Sequence, residues 1–335
     1  MGNLRVAING FGRIGRVTGR ILANAPDIDL VAINDLHEKE ALAHLLKYDS
    51  VHRTLDYECN LEGDTLVFGR QHAQVFQLPA AEMLPWRSLD VDVVVDCTGR
   101  YKTRTEANAH LRAGARRVIV SAPPVDESMP TIVIGVNDQL LQKGEEVISN
   151  ASCTTNSAAP MIQLLHELCG IESCYITTVH SYTGDQYLQD TPHRDLRRGR
   201  AAALSIVPTT TGAAKALTRV FPELAMQMGG CGIRVPVPDG SLTDITTIVR
   251  NPLSVEALNT AFLSASQGRY NGILKYTEDP IVSSDIIGNP HSCIVDGLLT
   301  SVIGNMVKIV GWYDNEVGYS NRLVDLIRMV RDRGI

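Results

Sequence analysis

Cys153 has the surroundings of a nucleophile. The stretch Ala151-Ser152-Cys153-Thr154-Thr155-Asn156 follows a short β-type run, Val147-Ile148-Ser149-Asn150. It precedes apolar residues at helical spacing: Met161, Ile162, Leu164, Leu165 and Leu168. Small hydroxyl residues between a strand and a helix read as an N-cap. That puts Cys153 in a first helical turn, where unpaired N–H groups and the helix dipole favour negative charge. Such a setting lowers a thiol's pKa and supplies thiolate near neutral pH. The plain alternative is a buried, inert cysteine. A sulfur nucleophile also needs a base. His180 is the best partner, in Thr177-Thr178-Val179-His180-Ser181-Tyr182-Thr183-Gly184-Asp185, where an apolar strand turns polar. Each of the nine histidines, taken alone, reads as a surface or satisfied core residue.

Anion binding is the second chemistry the residues offer. Arg194, Arg197, Arg198 and Arg200 cluster, and Arg234 follows in Ile233-Arg234-Val235-Pro236. One or two of these suit a phosphate, with donors from Thr209-Thr210-Thr211-Gly212. A solvated face, an intersubunit salt-bridge loop or a simple helix cap would give the same pattern. A nucleic-acid patch fits less well, because no aromatic residues interleave and the formal net charge is −6.

A cofactor site is the third. Leu4–Asn9 reads as a strand ending in Asn9-Gly10-Phe11-Gly12-Arg13-Ile14-Gly15-Arg16. A helical pattern follows, then the strand Asp29–Asn34 and Asp35, twenty positions after Gly15. This is G-x-G-x-x-G within a βαβ unit. Glycines let the backbone approach a pyrophosphate at a helix N-terminus, and the spaced carboxylate can hold adenine-ribose hydroxyls. The cofactor expected is NAD rather than NADP, because Asp35 would oppose a 2′-phosphate and Leu36 offers no hydroxyl to receive it.

The elements that must position these groups alternate. Val91–Gly99, Arg117–Ser121, Thr131–Gly135 and Glu146–Ser149 read as strands and 103–114 as a helix, a series that suits a parallel, doubly wound sheet. Thr98 and Ser121 fall at carboxyl ends of strands, where such sheets bind ligands. After Cys153 the texture changes. Strands are expected at Ser173–Thr183, Ile233–Pro236, Leu242–Arg250, Gly272–Tyr276 and Val302–Tyr313, with helices near 212–220 and 254–267 and at Tyr319–Arg333. Alternation along them suggests an antiparallel sheet covered by helices on one face. Residues 184–200 read as a polar loop. The length of 335 residues suits two domains, with a boundary near 151. Seven scattered cysteines without a C-x-x-C pair suit a reducing compartment, the cytoplasm, better than disulfides or a metal site. Neither a signal peptide nor an apolar run long enough to span a bilayer is evident.

Seven blocks in one order carry a resemblance: N-G-F-G-R-I-G-R, L-L-K-Y-D-S, A-S-C-T-T-N, T-T-V-H-S-Y-T-G-D-Q, T-T-T-G-A-A-K-A, R-V-P-V-P-D-G and Y-D-N-E-x-G-Y-S-N-R. Through them the chain resembles phosphorylating glyceraldehyde-3-phosphate dehydrogenases along essentially its whole length. The resemblance implies an α/β protein with two domains. An N-terminal Rossmann dinucleotide-binding domain, residues 1–151 completed by the helix 317–335, would join an α+β catalytic domain, 152–316, with a mostly antiparallel sheet. It implies oxidation and phosphorylation of glyceraldehyde 3-phosphate to 1,3-bisphosphoglycerate with NAD, through a thiohemiacetal and a thioester. Cys153 would be the nucleophile and His180 its base and acid. Arg13, Ile14, Asp35, Ser121 and Asn315 would contact NAD, beside Gly10, Gly12, Gly15 and Thr98 of the cofactor turns. Ser152, Thr154, Thr183, Arg198, Thr211, Gly212 and Arg234 would form two anion sites, for substrate phosphate and inorganic phosphate. A homotetramer is implied, with the loop around 181–205 reaching a neighbour's cofactor. Erythrose-4-phosphate dehydrogenase and a non-enzymatic binding protein on the same fold are the rival readings.

Some positions depart from the family pattern. Val317 stands for a Trp, Leu78 for a basic residue near the adenine, Ser157 for a second cysteine and Arg53 for a Gly. Pro192 suits an NAD enzyme, whereas Thr191 replaces the usual Leu and offers a hydroxyl that would tolerate some NADP.

Overall fold

The computed structural model describes residues 2–334. The chain divides into two compact units. The first comprises Met1–Ile132, Gln139–Ala151 and Ser320–Ile335, and the second Val133–Asp138 and Ser152–Tyr319.

The first unit is built on one sheet. Its strand order is Val147–Ser149, Arg117–Val120, Val93–Asp96, Leu4–Asn9, Ile28–Asn34, Gln71–Phe76, Thr65–Phe68 and Cys59–Glu62. The first six are parallel, and the last two close the edge as antiparallel strands. Val6, Ala7, Ile8, Val93, Val94 and Val95 are at most 1% exposed, as strands covered on both faces must be. The helices Arg13–Leu22, Lys39–Lys47 and Arg104–Arg112 belong to this unit. Thr103 begins the last of them with a reciprocal capping box to Glu106. The strand Leu4–Asn9 pairs with Ile28–Asn34 on one side and Val93–Asp96 on the other, so the strand order reverses there. Its carboxyl end is the place where such sheets open a crevice for a ligand. The final helix, Val317–Asp332, is tied to this unit by Arg328 and Arg331, which both donate to Asp27.

The second unit has a mostly antiparallel sheet. The order is Val207–Thr209, Met228–Val235, Ile171–Ser181, Ser241–Val249, Met306–Tyr313, Cys293–Asp296 and Leu274–Thr277. Two neighbouring pairs are parallel, Ile171–Ser181 with Met228–Val235 and Leu274–Thr277 with Cys293–Asp296. Along Ser241–Val249 buried and half-exposed residues alternate, the mark of a sheet with one covered face. Cys153–Cys169, Gly212–Val220 and Val255–Gln267 are the helices.

Two expected strands differ. Val302–Tyr313 is a hairpin, Ser301–Ile303 against Met306–Tyr313, turning at Gly304 with φ +60. An apolar run read by alternation alone hides a tight turn that only a left-handed residue reveals. Thr131–Gly135 is not a strand; Thr131 makes an isolated bridge to Ser149 and the chain then turns.

Candidate functional site

Cys153 is the first residue of the helix Cys153–Cys169. Ser152 caps it, its Oγ accepting from Thr155 N at 3.1 Å and lying 2.8 Å from Thr155 Oγ1. The preceding Ala151 holds φ +55, a conformation that costs a non-glycine residue about 1–2 kcal/mol. Strain of this kind persists where the surroundings demand it, often at functional sites.

His180 lies in the strand Ile171–Ser181, where the parallel register pairs it with Arg234. Its Nε2 is 3.4 Å from Cys153 Sγ. Its Nδ1 lies 2.7 Å from Ser181 O, and a carbonyl can only accept, so this shorter contact assigns the proton to Nδ1 over the 3.1 Å approach of Arg234 Nη1, which would need Nδ1 to accept. The Nε2 lone pair is left facing the sulfur. Tyr313 stands edge-on to the imidazole, ring centres 6.0 Å apart, with its hydroxyl 2.9 Å from both Thr154 Oγ1 and Thr178 Oγ1. That hydroxyl belongs to a buried phenol whose pKa burial raises well above its ordinary value. Tyr313 therefore fixes the ring and does not titrate. It lies in the Y-D-N-E block, yet nothing in its spacing marks it out.

The electrostatics set opposing effects on the pair. Burial raises the Cys153 thiol above its usual pKa, although Arg234 and the helix start pull the other way. Burial and the Arg234 charge bring His180 down to about 3. Desolvation thus works against a thiolate–imidazolium pair, and the helix N-terminus works for it.

Basic side chains flank the pair. Arg234 Nη1 donates to Ser181 O and Thr183 Oγ1, each at 3.0 Å, and lies 3.1 Å from His180 Nδ1. Arg198 donates to Thr209 Oγ1 at 2.9 Å, Asp185 Oδ2 at 2.6 Å and Thr210 O at 3.3 Å. Thr211 caps the helix Gly212–Val220, whose N-terminal end adds a favourable field for an anion. Asp185 was not foreseen as part of this group. Burial works to raise its carboxyl, but Thr183, Arg234 and Arg198 hold it below the ordinary range. Its signal was present as the D of T-G-D-Q, beside the threonine. Asn315 Oδ1 accepts from Ser181 Oγ at 2.9 Å and Ser241 Oγ at 2.6 Å, which fixes its amide. Ser157 takes the place of a second cysteine by pairing with Thr243 Oγ1 at 3.1 Å. Thr191 donates its hydroxyl to Gln189 O at 3.0 Å.

The first unit holds a separate cleft of about 270 Å³ at the carboxyl end of its central strands, lined among others by Gly10, Gly12, Asp35, Leu78 and Thr98. Gly10 has φ +90, and a Cβ there would meet Thr98 N at 2.7 Å. At Gly15 a Cβ would lie 2.2 Å from Gly10 O, so the helix could not pack so closely. Gly12 has open space at that position, a cradle that a side chain would fill. Asp35 accepts from Phe11 N at 2.7 Å. Backbone donors, a helix start and a carboxylate at the strand end fit a dinucleotide. Arg13 forks onto Asp49 instead of facing the cleft, at 2.5 and 3.2 Å. Burial would raise the Asp49 carboxyl, but Arg13 and the N–H groups of His52 and Val51 bring it to about 2. The L-L-K-Y-D-S block thus supplies the partner of Arg13. Ile14 is half-exposed in the same helix, and Ser121 directly follows the strand Arg117–Val120. Neither is among the residues lining this cleft. Thr98 is set by Asp96, whose other oxygen takes Asn9 Nδ2 at 2.7 Å and His110 Nε2 at 3.2 Å. That buried network was not legible.

Comparison with known proteins shows the family. Residues 4–104 match the family model for the glyceraldehyde 3-phosphate dehydrogenase NAD binding domain, and 152–315 that for the C-terminal domain. Glyceraldehyde-3-phosphate dehydrogenase of Mycobacterium avium is 52% identical over 336 residues, covering 98% of both chains. The protein of that name from Mycobacterium tuberculosis strain H37Rv is 52% identical with the same coverage. That from Geobacillus stearothermophilus is 50% identical over 334 residues, 99% of each.

Proposed function

The chain belongs to the glyceraldehyde-3-phosphate dehydrogenase family, and from that premise we propose that it oxidises and phosphorylates D-glyceraldehyde 3-phosphate through Cys153 and His180. It is an NAD-dependent dehydrogenase. The observation that carries the assignment of roles is the Sγ–Nε2 approach of 3.4 Å with Nδ1 tied to Ser181 O.

Cys153 sulfur attacks the aldehyde carbon, and its proton passes to His180 Nε2. The imidazolium so formed is stabilised by its Nδ1–H bond to Ser181 O and donates back to the developing oxyanion. His180 then takes the hydroxyl proton of the thiohemiacetal. A bound NAD would supply the acceptor for the hydride of that carbon. A thioester on Cys153 remains. Inorganic phosphate attacks its carbonyl carbon, the C–S bond breaks to release the acyl phosphate, and His180 returns its proton to the Cys153 sulfur. Arg234 and Thr183 form one anion site and Arg198, Thr211, Gly212, Ser152 and Thr154 the other, each using charge-assisted bonds. Asp185 accepts from Arg198 and offsets part of the positive charge of both arginines. Gly10, Gly12, Gly15, Arg13, Ile14, Asp35, Thr98, Ser121 and Asn315 serve the cofactor, Arg13 through its place at the helix start.

The first unit is the NAD-binding domain and the second the catalytic domain. The protein assembles as a homotetramer, a reading supported by exposed apolar side chains on the second unit's loop: Leu188, Leu196, Leu204 and Ile206. It works in the cytoplasm, which its seven free cysteines favour. Among the described residues no helix is long and apolar enough to cross a membrane.

The test is kinetic. Cys153→Ser should abolish phosphate-dependent NAD reduction, and His180→Asn should reduce turnover by roughly 10²–10⁴-fold. Arg234→Leu should impair turnover with the NAD dissociation constant nearly unchanged. Retention of activity in Cys153→Ser, or faster turnover of erythrose 4-phosphate than of the triose phosphate by wild type, would overturn the assignment.

A further inference from the structure

The cleft of the first unit contains a group that the reaction does not use. His37, two residues beyond Asp35, turns its imidazole back onto that carboxylate, with Nδ1 2.7 Å from Asp35 Oδ1. The His37 backbone N donates to the same oxygen at 3.1 Å, and Phe11 N donates to Oδ2 at 2.7 Å. Burial alone would raise the Asp35 carboxyl, but the His37 ring and the two backbone donors hold it below the ordinary carboxylate range.

A carboxylate offers about four lone-pair positions. Three are taken here, two of them on Oδ1. A ribose diol donating two bonds needs two, so one existing bond has to be released. The backbone donors of Phe11 and His37 are fixed by the turn. The His37 ring is 81% exposed and free to rotate, so it is the bond that gives way.

We infer that the His37 imidazole is a gate on the adenosine-ribose site. It occupies the Asp35 lone pair that the diol requires, and it grips more tightly when protonated. This rests on the reading of Asp35 as the ribose carboxylate. A neutral imidazole can place its proton on Nε2 and withdraw from Asp35 at little cost. An imidazolium always donates from Nδ1, and with charge assistance.

Other groups lie around the ring. Gln77 Nε2 donates to His37 O at 3.0 Å. Glu38 and Lys39 follow along the chain, Lys39 pairs with Asp64, and Arg100 lines the same cleft. Burial pushes the Cys97 thiol of the cleft up to about 12 and raises Tyr101, so both stay neutral. The His37 ring meets Asp35 directly.

The experiment is calorimetric titration of the intact enzyme with NAD at pH 6 and pH 8, for wild type, His37→Ala, His37→Asn and Asp35→Ala. Wild type should bind more weakly at pH 6 than at pH 8. His37→Ala should bind NAD about three- to tenfold more tightly than wild type at pH 6, the net worth of one ordinary hydrogen bond, as suits so exposed a ring. The gap should narrow at pH 8. His37→Asn keeps a neutral donor near the Nδ1 position and should show partial occlusion without the pH dependence. Asp35→Ala should lose affinity at both pH values. If Asp35→Ala binds NAD as wild type does, the ribose reading fails and the gate with it. If Asp35→Ala weakens binding but His37→Ala is no tighter than wild type at either pH, the gate alone is overturned.

Discussion

Asp239 carries a second pH dependence, one of stability. Its side chain is 1% exposed, with Asp314 and Glu316 also buried nearby. Burial, then the charges of Asp314 and Glu316, push its carboxyl up to about 9. Asp314 accepts from the backbone N–H groups of Gly288, Glu316 and Val317, whereas burial and the neighbouring carboxylates act on Asp239. An aspartate in the unfolded chain titrates near 3.9. The folded state therefore holds an extra proton throughout the interval between. The contribution of Asp239 is fully present below about pH 3.9 and is lost as pH rises toward 9, at up to about 1.4 kcal/mol per pH unit. Asp239→Asn keeps the shape and a donor but carries no proton to lose. It should come nearest to wild type at or below about pH 4, gain on it as pH rises, and unfold at a higher temperature by pH 8 to 9. Parallel midpoint-versus-pH curves for the two proteins, at equal concentration, would contradict this. At this scale the sequence revealed the Cys153–His180 pair, because a capped helix start and a strand that turns polar are local patterns. It did not reveal how strongly burial acts on that pair, the role of Tyr313 or the raised carboxyl of Asp239. Those depend on desolvation by residues far away in the chain.

Among the elements, the turn after the helix Lys39–Lys47 accounts for one unexplained departure. Arg53 has φ +64, a left-handed conformation in an exposed turn. Glycine is the residue that takes this geometry without strain, which explains the family's preference there. The turn is held by Arg20, which donates to Leu46 O at 2.6 and 3.0 Å, to Lys47 O and His52 O at 3.2 Å, and to Arg53 O at 3.0 Å. One guanidinium thus gathers carbonyls from the helix end and the turn. A non-glycine residue in this region costs about 1–2 kcal/mol. Arg53→Gly removes that strain but loosens the unfolded chain by somewhat less than 1 kcal/mol. The variant should be neutral or slightly stabilised, whereas Arg53→Val should lower the melting temperature by several degrees. A Val variant as stable as Gly would show that the turn conformation is not enforced. Turn geometry of this kind is invisible to hydrophobic periodicity, which is also why the hairpin at Gly304 read as one strand. The parallel order of the first sheet was legible, since buried apolar runs and intervening helices constrain it. The register that places His180 beside Arg234 was not, because pairing across 54 residues leaves no local trace.

For the whole molecule, the segment after the strand Ile171–Ser181 poses the clearest question. From 182 to 206 it contains no helix or strand, yet it is internally bonded. Thr191 N donates to Gly199 O at 2.8 Å, Ala202 N to Tyr187 O at 3.0 Å, and Arg200 pairs with Asp190 at 2.7 Å. A loop held in one shape nonetheless exposes Leu188 at 79%, Leu196 at 85%, Leu204 at 86% and Ile206 at 69%. Single exposed leucines are ordinary, but three leucines and an isoleucine exposed on one internally bonded segment leave much apolar area in water. Burying such side chains stabilises association by roughly 1.5–3 kcal/mol each when complete. A second copy of the chain is the simplest cover, because a symmetric interface uses the same patch on both subunits. Leu204→Asp and Leu196→Asp place charges where apolar contact is expected and should shift the assembly toward smaller species. Sedimentation velocity at several micromolar should then show a tetramer for wild type and dimer or monomer for the double variant. The family resemblance has this loop reaching a neighbour's cofactor, so NAD affinity should fall with the mass. An unchanged tetramer in the double variant would mean that these leucines lie outside every subunit contact. A smaller species with full NAD affinity would separate assembly from cofactor binding.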